Sequence, residues 1–280
     1  KTWRSISLVV VLPAEPVMPM IFAALRSRAA QPRRIIASST SSTTIIGAIR
    51  TGWILLWAML ATLALFLPMT AAALLSRTGN LAFSISKLWA RVMLRASCVS
   101  ARIKNREKIA RGQSYIIISN HQSHYDILAL VTTLGIQFRW VIKKELLKIP
   151  LFGYALYAAR NIFIDRSDPK KAMESIRRGL DRLPRGAGVM FFAEGTRSPD
   201  GRIREFKKGG FVMAMERGLP LLPVAVKGSS NVLPKGALTV RPGLIEVAVG
   251  DPIPSAGYSP ERLDELIAKT REAVIEKLRD

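Results

Sequence analysis

The chain has 280 residues, a formal net charge of +22 at pH 7, 49% hydrophobic residues and one cysteine, Cys98. That length gives one or two domains with a sizeable core, the composition excludes a disordered chain, and the lone cysteine excludes an internal disulfide and a cysteine-based metal framework. A positive excess of this size points to a polyanionic partner, either nucleic acid or an anionic membrane surface.

Residues 1–45 carry apolar stretches at 9–12 and 17–25 that are interrupted by proline, then a basic stretch. This order of apolar and charged residues is wrong for a secretory signal, and the Ser/Thr run at 38–44 reads as a linker. The segment is expected to be poorly ordered, and no function attaches to it.

Residues 46–100 form a second region with membrane character. No ionisable residue occurs between Thr51 and Ser76, and a spanning helix needs about 20 apolar residues. Pro68 interrupts the run, so two readings stay open: a spanning helix that tolerates the proline, or a helix broken there that dips into one leaflet. Trp53, Trp57 and Trp89 suit the headgroup level. From Arg77 to Arg111, nine Lys or Arg stand against a single acid, Glu107. Basic residues beside an apolar segment mark the cytoplasmic lipid surface, so the expected location is the cytoplasmic membrane with the rest of the chain facing the cytoplasm. The basic residues are not interleaved with aromatics as in a nucleic-acid groove; membrane lipids are the expected partner and nucleic acid is not.

Over residues 101–280 short apolar runs alternate with amphipathic stretches. Strands are expected at 115–118, 138–142, 189–192, 222–226 and 244–249. Asp168 and Pro169 open a helix with Ala172, Met173, Ile176, Leu180 and Leu183 at helical spacing, and Ser259 and Pro260 open another. The fold class is therefore α/β: hydrophobic membrane-anchoring helices followed by an α/β domain around a mostly buried central sheet. Functional residues in such sheets lie in loops at strand ends.

Both histidines of the chain fall in Asn120-His121-Gln122-Ser123-His124-Tyr125-Asp126. This stretch leaves the first expected strand and enters a helix starting near Ser123, with Asp126 in its first turn. A fully helical segment would set His121 and Asp126 about 140° apart, whereas a loop at His121 lets the imidazole swing back to the carboxylate. That pairing orients the ring and stabilises the imidazolium formed when it takes a proton. His124 is expected on the helix, away from the site. No Gly-x-Ser-x-Gly elbow occurs, so His121 is read as activating a substrate hydroxyl directly. A second cluster, Phe192-Ala193-Glu194-Gly195-Thr196-Arg197-Ser198, also ends an apolar strand; Gly195 permits a tight turn and Arg197 can fork onto a phosphate. Phe163-Ile164-Asp165-Arg166 repeats the design, and Lys207 and Lys208 before Gly209-Gly210 add charge at a helix start. Cations recurring at strand ends near a histidine suit a small anionic substrate.

These blocks, in this order, resemble the glycerolipid acyltransferase family that includes the 1-acylglycerol-3-phosphate acyltransferases. The first block matches Asn120, His121 and Asp126, the second residues 163–166, the third residues 192–198, and the fourth, an apolar strand with a central proline, residues 221–226 with Pro223. Residues 144–150 followed by Gly153 are similar to the family's run before its second block. One departure is Ala193 where the family usually has proline, which should loosen the turn slightly. The resemblance implies that His121 is the general base and Asp126 its partner, with Arg166, Glu194, Gly195, Thr196, Arg197 and Lys207 in the acceptor-binding region and no metal. It implies acyl transfer from acyl-CoA or acyl carrier protein, as co-substrate and with no cofactor, to the sn-2 hydroxyl of lysophosphatidic acid. Other acceptors, and a non-catalytic basic membrane-surface protein, are the alternatives.

Overall fold

The structure, a computed structural model, describes residues 40–198 and 201–280; the expectations for residues 1–39 lie outside the described residues. Helix α1 runs Thr40–Leu75 without a break and includes Pro68. Of the two readings left open, the helix that tolerates Pro68 is the one observed. A missing N–H and a displaced carbonyl cost little to a helix whose neighbours hold it; here the Thr70 hydroxyl donates to the Phe66 carbonyl at 2.9 Å beside the proline. The helix also starts inside the Ser/Thr run read as a linker, because extending an existing helix is far easier than nucleating one.

Ile54, Ala58, Ala61, Met69 and Ala72 form one buried stripe on α1, at the 3–4-residue spacing of a single helix face. Antiparallel α2, Asn80–Ala96, packs on that stripe, and Trp89 Nε1 donates to Thr62 Oγ1 at 3.2 Å. Ile54, Ala58, Phe83, Ala90 and Met93 belong to the same continuous core as the sheet strands. The opposite face is apolar and open: Trp53, Leu56, Met59, Leu60, Leu63 and Leu67 are all exposed. A helix apolar all round is at home only in a core or in lipid.

The chain then builds β1 (Val99–Lys104), β2 (Ile116–Ser119), α3 (Tyr125–Thr133), β3 (Phe138–Lys143), α4 (Phe152–Ala158), β4 (Ile162–Ile164), α5 (Pro169–Asp181), β5 (Gly188–Phe192), α6 (Gly209–Arg217), β6 (Leu221–Lys227), α7 (Ser229–Val232), β7 (Gly243–Val249) and α8 (Leu263–Arg279). The seven strands form one sheet in the order β1-β7-β6-β2-β5-β3-β4. Strands β2 to β6 run parallel to one another, and β7 lies antiparallel to β6 and parallel to β1. The five expected strands are all present. Strand β2 lies at the centre between β5 and β6, and its four residues are buried. Its apolar run is the signature of a strand covered on both faces. As expected, Asp168 caps α5, its Oδ1 accepting from Lys171 N at 3.1 Å with Pro169 next. The carboxyl ends of the parallel strands converge on one edge, where open α/β sheets place their ligands.

Candidate active site

The site begins where the chain leaves β2. Asn120 mimics one more strand residue: its Nδ2 donates to the Val226 carbonyl at 2.9 Å and its Oδ1 accepts from Val226 N at 2.7 Å. The backbone is thereby anchored to the end of β6 as it turns. His121 follows, fully buried, its ring stacked on Phe192 at 3.8 Å between centroids.

Asp126, in the first turn of α3, reaches back to the loop. One oxygen, Oδ2, accepts from His121 Nδ1 at 2.7 Å, from Gln122 N at 2.7 Å and from Ser123 N at 2.9 Å. This carboxylate does the work of a helix cap and a ring orienter together. Because Oδ2 accepts, Nδ1 carries the proton and the lone pair lies on Nε2. Nε2 is buried and meets no hydrogen-bond partner among the described residues. Burial pushes the His121 pKa below its usual range; Asp126 opposes that, while the charges of Arg197 and Lys235 reinforce it. The ring is thus neutral at pH 7, with a free basic nitrogen.

Glu194 holds the same loop from below. It follows β5, and its Oε1 accepts from His121 N at 2.9 Å and its Oε2 from Arg204 N at 3.0 Å. Burial holds its pKa above the usual carboxylate range, against the two N–H donors that lower it. Gly195, at φ 74°, makes the tight turn that returns its N–H to the Phe192 carbonyl at 3.0 Å, a conformation that glycine adopts without strain. Thr196 is half-buried and Arg197 buried; Ser198 N donates to the His121 carbonyl at 2.8 Å. Ala193 is held by hydrogen bonds on both sides. Its N–H donates to the Ser119 carbonyl at 3.1 Å and its carbonyl accepts from Lys207 N at 2.8 Å, and the first of these bonds is one a proline could not make.

Of the residues singled out from sequence, His121, Asp126, Glu194, Gly195 and Arg197 meet at the carboxyl ends of β2 and β5, and Lys207 joins them through its backbone. Arg166 follows β4, three strands from β2 and so about 14 Å across the sheet. Its Nε and Nη2 are buried without a hydrogen-bond partner among the described residues, and burial lowers its pKa to about 10. His124 departs from expectation. It sits just before α3 rather than on it, is only 7% exposed, and burial, reinforced by the nearby Arg197 charge, drops its pKa to about 3. The short loop keeps it beside His121, since the helix that would carry it away begins one residue later. Lys235 was not foreseen: its Nζ donates to the Arg197 carbonyl at 3.0 Å. Nothing near it in sequence marks it except its place after β6, on the same edge of the sheet.

An apolar cavity of about 150 Å³ lies between α1, α2, α3 and α4, walled by Leu65, Phe66, Phe83, Trp89 and Trp140, with His124 in its lining. Trp140 stacks on Phe192 at 5.3 Å, which in turn carries the His121 ring. Among the described residues no group of three or more His, Cys, Asp or Glu is placed to hold a metal ion.

Residues 100–227 match the family model described as Acyltransferase. A chloroplastic 1-acyl-sn-glycerol-3-phosphate acyltransferase of Arabidopsis thaliana is 31% identical over 69% of this chain and 53% of its own length. A 1-acyl-sn-glycerol-3-phosphate acyltransferase of Pseudomonas aeruginosa is 36% identical over 58% of this chain and 63% of its own. The chain therefore spans about half to two thirds of the length of these curated relatives. The crystal structure of the 1-acyl-sn-glycerophosphate acyltransferase PlsC from Thermotoga maritima superposes with a TM-score of 0.73 at 24% identity, over 84% of this chain and 96% of that one, and so shares the fold. Over residues 100–227 this chain is thus similar to the acyltransferase family.

Proposed function

We propose that this chain transfers a fatty acyl group from a thioester, acyl-CoA or acyl carrier protein, to the sn-2 hydroxyl of 1-acylglycerol-3-phosphate. The observation that carries the reading is the neutral His121, held by Asp126 through Nδ1, with an unengaged Nε2 at the carboxyl edge of the sheet. The names of the curated relatives support the acceptor.

The acceptor hydroxyl gives its proton to His121 Nε2 as its oxygen attacks the thioester carbonyl carbon. The imidazolium so formed is stabilised by Asp126 Oδ2. The tetrahedral intermediate then collapses, the carbon–sulfur bond breaks, and the thiolate takes the proton back from Nε2. Base catalysis of this kind contributes about 10²–10⁴-fold, with the rest from positioning. The ring is wholly covered, so substrate entry requires local opening. Arg197, Arg166 and Lys207 supply positive charge for the acceptor phosphate. Arg166 favours this role because its two unpartnered nitrogens would be satisfied by phosphate oxygens. The acyl chain fits the apolar cavity beside His124.

The segment Ile46–Leu75 is long and apolar enough to cross a membrane. Its buried stripe packs on the α/β domain at both ends, Ile54 and Ala58 in the main core and Met69 and Ala72 with Ala158 and Ala159, so a perpendicular helix would draw that polar domain into the bilayer. We therefore place the hairpin in one leaflet of the cytoplasmic membrane, with its open apolar face in lipid and the active site beside the headgroups. Two water-insoluble chains then reach His121 without leaving the bilayer.

The test is detergent-purified wild type and His121→Ala incubated with lysophosphatidate and an acyl-CoA, following free thiol and phosphatidate together. Both products are expected from wild type, and at least 10²-fold less from the variant. Thiol release without phosphatidate points to a thioesterase or another acceptor. An active His121→Ala protein overturns the assignment.

A further inference from the structure

At the opposite edge of the sheet lies a cleft of about 650 Å³ whose lining includes Arg77, Arg139, Arg160, Arg178 and Arg182 and no acidic residue. Arg139 is the second residue of β3, Arg160 precedes β4 and Arg182 closes α5, so the cleft faces the amino ends of the parallel strands. It stands about 15 Å from the carboxyl edge along the sheet and shares no lining residue with the His121 loop. Arg178 is paired with Glu174 at 2.6 Å. Arg77, Arg160 and Arg182 are exposed and form no ion pair among the described residues.

Arg139 is the informative member. It is 2% exposed, and its hydrogen bonds go only to neutral oxygens: the Thr78 carbonyl at 2.8 Å, Asn80 Oδ1 at 2.6 Å, the Phe138 carbonyl at 2.9 Å and Gln137 Oε1 at 3.3 Å. Its Nε is buried with no partner among the described residues. A buried cation without a countercharge is costly, and an anion in this cleft would offset that cost. Through Thr78 and Asn80, Arg139 also grips the turn between α1 and α2. Gly79 sits hard against the next segment, where an added Cβ would come within 2.9 Å of the Ala159 carbonyl carbon. The cleft thus lies where the apolar hairpin joins the α/β domain. On its hairpin side Leu74 and Leu75 are each 80% exposed, and Tyr157 in its lining is 53% exposed.

We propose that this arginine cleft is a second anion site that takes the headgroup phosphate of an anionic phospholipid from the leaflet holding the hairpin. The inference rests on the one-leaflet reading of α1 and is independent of the chemistry at His121. The continuity of unpaired arginines with bare leucines selects a lipid over a free anion: the leucines contact the acyl region while the guanidiniums meet the phosphate. Bound there, the lipid ties the hairpin turn to the domain that it roofs.

The experiment is thermal unfolding of the full chain in a neutral detergent, with short-chain phosphatidylglycerol, short-chain phosphatidylcholine or inorganic phosphate added at equal concentration. Phosphatidylglycerol should raise the midpoint by about 3–8 °C near saturation, while the other two leave it nearly unchanged. Arg77→Gln/Arg182→Gln, at two exposed positions, should unfold like wild type without lipid and lose the shift; His121→Ala should keep it. If that pair fails to fold, Arg160→Gln/Arg182→Gln serves in its place. An equal shift with phosphatidylcholine would assign the effect to the apolar face, and a full shift with inorganic phosphate would make this a free-anion site. Either result, or a shift that survives the arginine substitutions, overturns the proposal.

Discussion

The two edges of the sheet treat buried charge in opposite ways. At the carboxyl edge Asp126 Oδ2 collects three donors and each oxygen of Glu194 accepts a backbone N–H, so the loop carrying His121 is held by its own polar groups. At the amino edge Arg139 has only neutral partners and its cleft lacks an acid. The bonds to Asp126 Oδ2 and Glu194 fix the loop's geometry before substrate arrives, and among the described residues they leave Asp126 Oδ1 and His121 Nε2 buried without a partner. An unbalanced cluster of cations is completed only by something that arrives from outside. Substitutions that weaken the first edge should therefore strike turnover, whereas those at the second should strike lipid-dependent stability.

The largest effect is expected from Asp126→Asn. The amide keeps an acceptor for one N–H but loses the charge that stabilises the His121 imidazolium, and it can present its NH₂ to the ring and favour the wrong tautomer. Turnover should fall by about 10³-fold or more, with KM nearly unchanged, in a steady-state assay of thiol release. A loss below tenfold would mean that Asp126 is only a cap for α3. Wild type should also keep its acid limb below the usual histidine range, because burial holds the His121 pKa low; a limb above pH 7 would contradict the neutral ring.

Glu194→Gln comes next. One of the two backbone donors, His121 N or Arg204 N, would face an NH₂ in place of an oxygen, at a cost of about 1–3 kcal/mol. That corresponds to roughly 2–4 °C of melting temperature per kcal/mol. Turnover should fall by about 10–100-fold as the His121 backbone shifts. Loss of turnover with an unchanged melting temperature would instead mark Glu194 as a substrate ligand.

How much of this was legible follows from which forces act locally. Strands β2, β3, β5, β6 and β7 announce themselves by apolar runs, because a sheet covered on both faces needs them. Strand β1 escaped notice since its sequence, Val99-Ser100-Ala101-Arg102-Ile103-Lys104, alternates buried and open positions inside a basic run that reads as surface. His121, Asp126 and Glu194 were visible because a polar cluster at the end of an apolar strand is a local anomaly. Lys235 was not, because its place depends on contacts distant in sequence, and the seat of His124 turned on a helix start one or two residues later than its sequence suggests. Ser123 Oγ must bond the Leu233 carbonyl, at 2.8 Å, to bring the segment after β6 over the site. Continuity through Pro68 likewise depends on α2 lying alongside, which no window of sequence contains.

A smaller effect tests the roof over the acyl chain. Ala155 of α4 lines the apolar cavity, and Ala155→Phe would fill much of it while keeping the surface apolar. The ratio of turnover with long to short acyl thioesters should drop about tenfold, within the range a few methylenes command in an apolar pocket. Competition between two donors in one reaction measures it directly. An unchanged ratio would move the chain out of this cavity.

The smallest effect concerns His124, which bridges the catalytic loop and that cavity. Its native pKa of about 3 lies below the ordinary value of 6.5. As pH falls through 6.5 the unfolded chain takes up a proton that the native protein refuses, so this contribution is complete above 6.5 and is lost progressively toward about 3. His124→Leu removes the titration and keeps an apolar wall, and should recover up to about 3 kcal/mol of relative stability at pH 4. Denaturant unfolding of both proteins at pH 7 and pH 4 isolates that difference from the carboxylates common to both. Parallel losses in the two proteins would show that acid lability resides elsewhere and that His124 is solvated. A gain at pH 4 together with near-wild-type turnover at pH 7 would separate its role in the wall from the proton transfer assigned to His121.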